Sequence, residues 1–329
     1  MSKPSAKKNQ KKKDRAKKVQ AAKNRPEPGI GAKPRHDPYL EERALRQVFR
    51  ERKDEPFADP AELTTLLLLA KAAPAPMDSL DPVEQAQELA FQGLAWLADN
   101  HRKAPEKATP FFRRALDLDP DCADAHVGLL YLAGLDHGSS LAPAAARIHL
   151  ETLLANSRRR LGLPESGEAP EELPPEVLLR PHLRLLDAAI LQAEECELLE
   201  LCPQWSREIL RLDDECEQAD ATRVLTWLLF GNFQEEAAHL FDQFQLEDPT
   251  LFWWRSWSAF LSQDFESAKA WREKALTVRP ESQHLVCMEF EPESEEEVEE
   301  DFLLVHEPLM LALQHEANYI HWLHTLDAA

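Results

Sequence analysis

Apolar positions along most of this chain recur every three or four residues, and prolines interrupt the recurrence at short intervals. That spacing predicts amphipathic helices, because residues three and four apart share one helical face. Tyr39, Leu40, Ala44, Leu45, Val48 and Phe49 make one such face just after Pro38. A second helix fits Pro60 to Ala73, with Asp59 placed to cap its first turn and Pro74 and Pro76 beyond its end. Asn232 and Asp264 read as N-caps of helices starting at Phe233 and Phe265, each following an antiparallel partner helix. Beyond Pro280 the pattern changes: His284 to Phe290 reads as a short strand or extended segment and EPESEEEVEED as an acidic loop. Phe302 to Leu326 returns to helical spacing and is expected to cover the end of the array.

Within the helical region one local pattern recurs: an alanine, an aromatic four residues on, a small or apolar residue, then a proline. It runs through Ala108, Phe112, Ala115 and Pro120, through Ala237, Phe241, Phe244 and Pro249, and through Ala268, Arg272, Ala275 and Pro280. The alanine-to-proline distance is 12 residues in each, and the last two copies start 31 residues apart. A degraded copy places Cys202, Ser206 and Ile209 at the same positions, with Leu183 to Leu201 as its first helix and Pro203 to Leu212 as its second. The alanine sits where two helices cross closely, the aromatic fills the groove beside it, and the proline stops the second helix.

On these residues the span from about 82 to 280 resembles the tetratricopeptide-repeat family, whose period is about 34 residues. The Trp, Leu, Gly and Tyr that mark the first helix in that family are mostly replaced, and Arg272 stands where an aromatic is expected. The stretch RLDDECEQADATRVLTWLLFGNFQEEA is similar to the suppression-of-tumorigenicity family, with Arg211, Leu212, Gln218, Trp227, Leu228 and Leu229 in register. That resemblance implies another helical-repeat protein and adds no chemistry.

The expectation is therefore an all-α chain: a helical-hairpin solenoid of tetratricopeptide type behind a disordered basic tail. Its divisions are a tail and linker (1–37), N-terminal helices (38–81), repeats (82–280) with an insert at 156–181, and an acidic loop with a capping helix (281–329). Nine glycines against 24 prolines, with few β-branched runs, support helices over sheet. Five cysteines, an odd number with no CxxC pair, point to a reducing cytoplasmic or nuclear compartment. The most apolar run, Leu63 to Ala73, is broken by Lys71 and is far short of the roughly 20 residues that span a bilayer. No membrane association is expected.

Charge divides the chain. Residues 1–53 carry +12 and the remainder −33. Lysines cluster in the tail at Lys7, Lys8, Lys11, Lys12, Lys13, Lys17 and Lys18, where they suit phosphate contact of a sequence-independent, salt-sensitive kind. With no aromatic among them, base stacking is not expected. The same lysines suit a targeting or solubilising tail, or docking on an acidic protein surface.

Functional expectations centre on binding. In LFWWRSWSAF, Trp253, Trp254, Trp257 and Phe260 occupy neighbouring turns; most of such a cluster is core, and Trp254 or Arg255 is the expected partner-facing residue. Trp227, Trp254 and Arg255 are accordingly the predicted contacts for a basic or mixed-charge protein segment held in the groove lined by first helices. No catalytic constellation is found and no cofactor is expected. His315-Glu316 opens like the zinc motif HExxH, but Tyr319 takes the second histidine position, and His321 and His324 sit on the same terminal helix. Glu236 and His239 form a single ExxH, half of what a di-iron bundle needs. The function expected is a non-enzymatic scaffold, the alternative an RNA- or ribosome-associated assembly factor acting through the lysine arm.

Overall fold

A computed structural model describes residues 37–52, 59–99, 103–134, 142–164, 173–214, 216, 219–243, 249–280, 282, 286, 309, 311–313 and 315–327. The seven tail lysines, Phe244, Cys287 and the acidic stretch after Phe290 fall outside them. The helices are α1 (Leu40–Arg52), α2 (Pro60–Ala72), α3 (Pro82–Ala98), α4 (Ala104–Leu118), α5 (Ala123–Gly134), α6 (Pro143–Leu161) and α7 (Glu176–Glu195). They continue as α8 (Cys202–Leu212), α9 (Ala221–Phe230), α10 (Gln234–Gln243), α11 (Pro249–Leu261), α12 (Phe265–Val278) and α13 (Ala317–Asp327). The protein is all-helical, with no strand among the described residues. Of the segment expected to be extended, His284 to Phe290, only Val286 lies among the described residues, and its backbone is helical. No described helix is long and apolar enough to cross a membrane.

Helix starts follow local chemistry. Asp59 accepts from the Glu62 N–H at 2.8 Å, Asp81 from Glu84 at 2.9 Å and Asp264 from Ser267 at 3.1 Å, each satisfying an amide that has no partner within its own helix. Asn232 does something else. It takes a left-handed φ of 59°, and α10 begins at Gln234, so Asn232 closes the preceding helix instead of capping the next.

That closure recurs. Gly162, Glu197, Asn232 and Gln263 all have left-handed φ after α6, α7, α9 and α11. In each case the following amide reaches back six residues counted inclusively: Leu163 to the Arg158 carbonyl, Leu198 to Ala193, Phe233 to Leu228 and Asp264 to Ala259, at 2.8–2.9 Å. This is the Schellman ending of a helix. In the pairs α7–α8, α9–α10 and α11–α12 the buried small residue of the second helix, Cys202, Ala237 or Ala268, follows the left-handed residue by five positions. The three hairpins thus share one turn and one register, including the copy that is most degraded in sequence.

The chain divides into two compact units, Met1–Gly128 and Leu129–Ala329, with the boundary inside α5. In the first, α3 packs along α4 over Ala86, Ala90, Leu94, Ala108 and Ala115, all buried. Phe112 is fully enclosed, and a methyl group built on Gly93 or Gly128 would lie 2.4 Å or 2.1 Å from its ring. The ring therefore occupies a slot made by two glycines, one on α3 and one on α5. In the second unit the stretch read as an insert is shorter than 156–181: residues up to Leu161 complete α6, and Glu176 to Pro181 open α7. Arg272 is buried between Ala268 and Ala275 on the same face of α12, so it follows the aromatic's register.

Candidate functional site

The helix α11 is apolar around most of its circumference and is buried on several sides. Trp253, Trp254 and Trp257 are all fully enclosed, and Phe260 is half-buried. An enclosed indole loses its water hydrogen bond and needs a partner inside. Trp254 donates its N–H to the Thr226 hydroxyl of α9 at 2.8 Å, and Trp253 donates to the Ser282 hydroxyl at 2.9 Å. Trp227 is likewise 0% exposed and donates to the Glu194 carboxylate of α7 at 2.6 Å. Two of the three predicted contact residues, Trp227 and Trp254, are therefore structural ties between the first helices of successive hairpins. Their acceptors lie 33 and 28 residues away in sequence, beyond the reach of helical periodicity.

Arg255 is different. It is half-buried, with its guanidinium carbon 5.5 Å from the Phe241 ring centre and 4.9 Å from that of Trp271, and it donates one hydrogen bond to the Phe241 carbonyl at 3.3 Å. Trp271 stacks on Phe252 with centroids 5.8 Å apart. Lys274 is exposed, and its ammonium sits 4.5 Å from the Phe252 ring and 5.1 Å from Trp271. Arg255, Trp271 and Lys274 thus form a cationic platform backed by aromatic rings on the hairpin α11–α12. Neither cation has a carboxylate at ion-pair distance among the described residues, whereas Arg158, Arg207 and Arg223 of the same unit each do. Trp271 and Lys274 escaped the sequence reading, which attended to the repeat positions Ala268, Arg272 and Ala275 on the buried face of α12. The separation of three residues between Trp271 and Lys274 was the available sign.

Two buried ionic groups lie deeper in this unit. Ser157 of α6, His182 of α7 and Glu208 of α8 form a chain, with Ser157 Oγ 2.9 Å from His182 Nδ1 and His182 Nε2 3.2 Å from Glu208 Oε1. Arg158 adds two hydrogen bonds to the same carboxylate, one of them at 2.7 Å. Burial pushes the Glu208 carboxyl up, but the bonds from Arg158 and His182 outweigh it and hold the group at about 2. Because Glu208 is ionised it only accepts, so the Nε2 proton of His182 is donated to it and, in the neutral ring, Nδ1 accepts from the Ser157 hydroxyl. The order serine, histidine, carboxylate is that of a hydrolytic triad. Here Ser157 and His182 are both enclosed between helices, so the hydroxyl has no path to a substrate and the chain acts as a clamp.

The second group gathers Asp187 and Glu194 of α7 and Asp220 and Arg223 of the α9 N-terminus. Arg223 lies 3.6 Å from Asp187, 3.3 Å from Glu194 and 3.3 Å from Asp220, so one cation serves three carboxylates. Burial pushes Glu194 up to about 7, against the pull of Arg223 and the Trp227 hydrogen bond, and the nearby Asp187 adds to the rise. The same burial pushes the Cys202 thiol well up and Cys216 to about 12, so both stay protonated and unreactive.

In the Met1–Gly128 unit, a cavity of about 420 Å³ lies among α1, the 74–80 connection and α3. Arg43, Arg46 and Arg50 line one wall and Glu84 and Glu88 the other. Arg43 meets Glu88 at 2.9 Å and Asp37 closer still, while Arg46 and Arg50 meet Glu84 at 3.3 Å and 3.6 Å. These charges neutralise one another, which leaves the cavity without a net demand for a charged ligand.

Among the described residues no group of three or more His, Cys, Asp or Glu is placed to hold a metal ion. His315, His321 and His324 are exposed, and Tyr319, at the position a zinc motif would give to histidine, is buried and donates to Ser256 at 2.9 Å. Glu236 is paired with Arg207 at 2.5 Å. No family model matches the chain, and no curated protein matches it.

Proposed function

We propose that this protein is a non-enzymatic binding scaffold of tetratricopeptide type, whose stacked hairpins present a surface to a segment of another protein. The observation that carries this reading is the Arg255–Trp271–Lys274 platform: two cations held against aromatic rings, with no carboxylate of their own chain among the described residues, on one of three hairpins that share a turn. Unpaired charge with an apolar backing is what a recognition surface needs and what a packing surface avoids. The −33 charge of residues 54–329 adds long-range attraction for basic groups, so a ligand of mixed charge suits the body as a whole. The four described cysteines are all buried free thiols, in keeping with a cytoplasmic or other reducing compartment.

The rival reading gives the work to the lysine arm and RNA or the ribosome. Capture experiments with the full chain and with a chain lacking residues 1–25, each with and without nuclease, separate the two. The scaffold reading expects a principal protein partner that survives both treatments. If every partner is lost with the arm, or released by nuclease, the helices are only a carrier for the tail.

A further inference from the structure

Resting on that scaffold reading, we propose that the Arg255–Trp271–Lys274 platform docks a partner segment bearing two carboxylates within one helical turn, followed by an apolar side chain. The two cations both lie against Trp271, at 4.9 Å and 5.1 Å from its centre, so they are within about 10 Å of one another. Carboxylates three or four residues apart on a helix have Cβ atoms about 5–6 Å apart and can reach both. A guanidinium has five N–H donors, and Arg255 has one hydrogen bond among the described residues, to the Phe241 carbonyl. The rings hold both side chains in place before a ligand arrives, which lowers the ordering cost of binding. Val278, 55% exposed, lies one turn beyond Lys274 on α12 and supplies the apolar contact.

Two features favour a carboxylate-bearing protein segment over a nucleic acid. The Trp271 ring already has Phe252, Arg255 and Lys274 against it, so the platform offers charge and not a bare face for a base. The −33 charge of residues 54–329 opposes a continuous phosphodiester chain more than it opposes two carboxylates flanked by neutral or basic residues.

The test pans a displayed library of random 12-residue peptides on the full-length protein, then measures a synthetic copy of an enriched peptide by fluorescence anisotropy. Enriched sequences are expected to carry two Asp or Glu within four positions. Lys274→Gln and Arg255→Gln should each weaken the synthetic peptide by about tenfold, with Lys274→Arg retaining it. Lys274 is exposed, so its variant keeps the fold, and circular dichroism verifies this. Peptides without acidic pairs, or binding indifferent to Lys274→Gln, overturn the proposal while leaving the scaffold reading standing; a library that yields no binder at all sinks both. A tenfold gain in peptide affinity on deleting residues 291–301, eight of which are acidic, would assign the platform to the chain's own segment and so refute a partner's.

Discussion

Glu208 and Glu194 are enclosed to a similar degree, with side chains 6% and 10% exposed, yet burial ends in opposite results. At the seam of α6, α7 and α8, one carboxylate receives bonds from Arg158 and His182 and is held at about 2. At the seam of α7 and α9, three carboxylates share Arg223, and Glu194 rises to about 7. Desolvation acts on both in the same direction. The number of donors per carboxylate decides the sign, and the first site is a clamp while the second carries a proton that neutral pH can remove.

A carboxylate with no donor is the limiting case and should show the largest effect. Ala268 is fully buried where α11 meets α12, and its carbonyl accepts from Ser256 at 2.8 Å. Ala268→Glu is expected to cost roughly 5 kcal/mol through an unpaired charge and overpacking, enough to unfold the α11–α12 hairpin. Near wild-type urea denaturation would show that this crossing tolerates charge and that the shared register has been misassigned.

Next comes the balanced site. Glu208→Gln leaves Arg158 and His182 facing a neutral group and should cost about 3 kcal/mol near pH 7, read from the shift in urea midpoint. Because the folded value lies below the ordinary 4.5, the stabilisation by Glu208 is present above pH 4.5 and lost as pH falls from there through about 2. The variant should therefore lose acid sensitivity in that window. If Glu208→Gln is milder than the change at Glu194, donor number is not what separates the two seams.

The smallest effect is expected at Glu194, and with the opposite sign. Its folded value lies above 4.5, so its contribution is full below pH 4.5 and lost as pH rises through about 7. Glu194→Gln mimics the protonated form and still accepts from Trp227 through its side-chain oxygen. At pH 8 it should be neutral or stabilising by about 1 kcal/mol, and it should flatten the decline between pH 5 and 8. Melting temperatures at pH 5, 6.5 and 8 give the answer: a wild type whose stability rises over that range would contradict the raised carboxyl.

Helical periodicity and the Ala–aromatic–small pattern were enough to read the all-helical class and the buried faces of the second helices. Ala108, Phe112 and Ala115, Cys202, Ser206 and Ile209, Ala237 and Phe241, and Ala268, Arg272 and Ala275 are all enclosed. Such positions are legible because they depend on neighbours three or four residues away along one helix. The N-caps Asp59 and Asp264 are legible for the same reason, while Asn232 was misread because a polar residue between two helices can end one or start the other.

What tertiary structure alone settled are the matters that depend on distant residues. Phe112 needs Gly93 and Gly128, 35 residues apart, to give it a slot. Trp254 is core and Arg255 half-exposed although they are adjacent, because Thr226 waits for one and Phe241 and Trp271 for the other. Whether a buried carboxylate clamps or titrates depends on how many hydrogen-bond donors other helices bring to it and how many carboxylates share them. Local spacing selects which side of a helix is buried. Which residue meets it there, and with what charge, is set by chain segments whose approach no short-range pattern records.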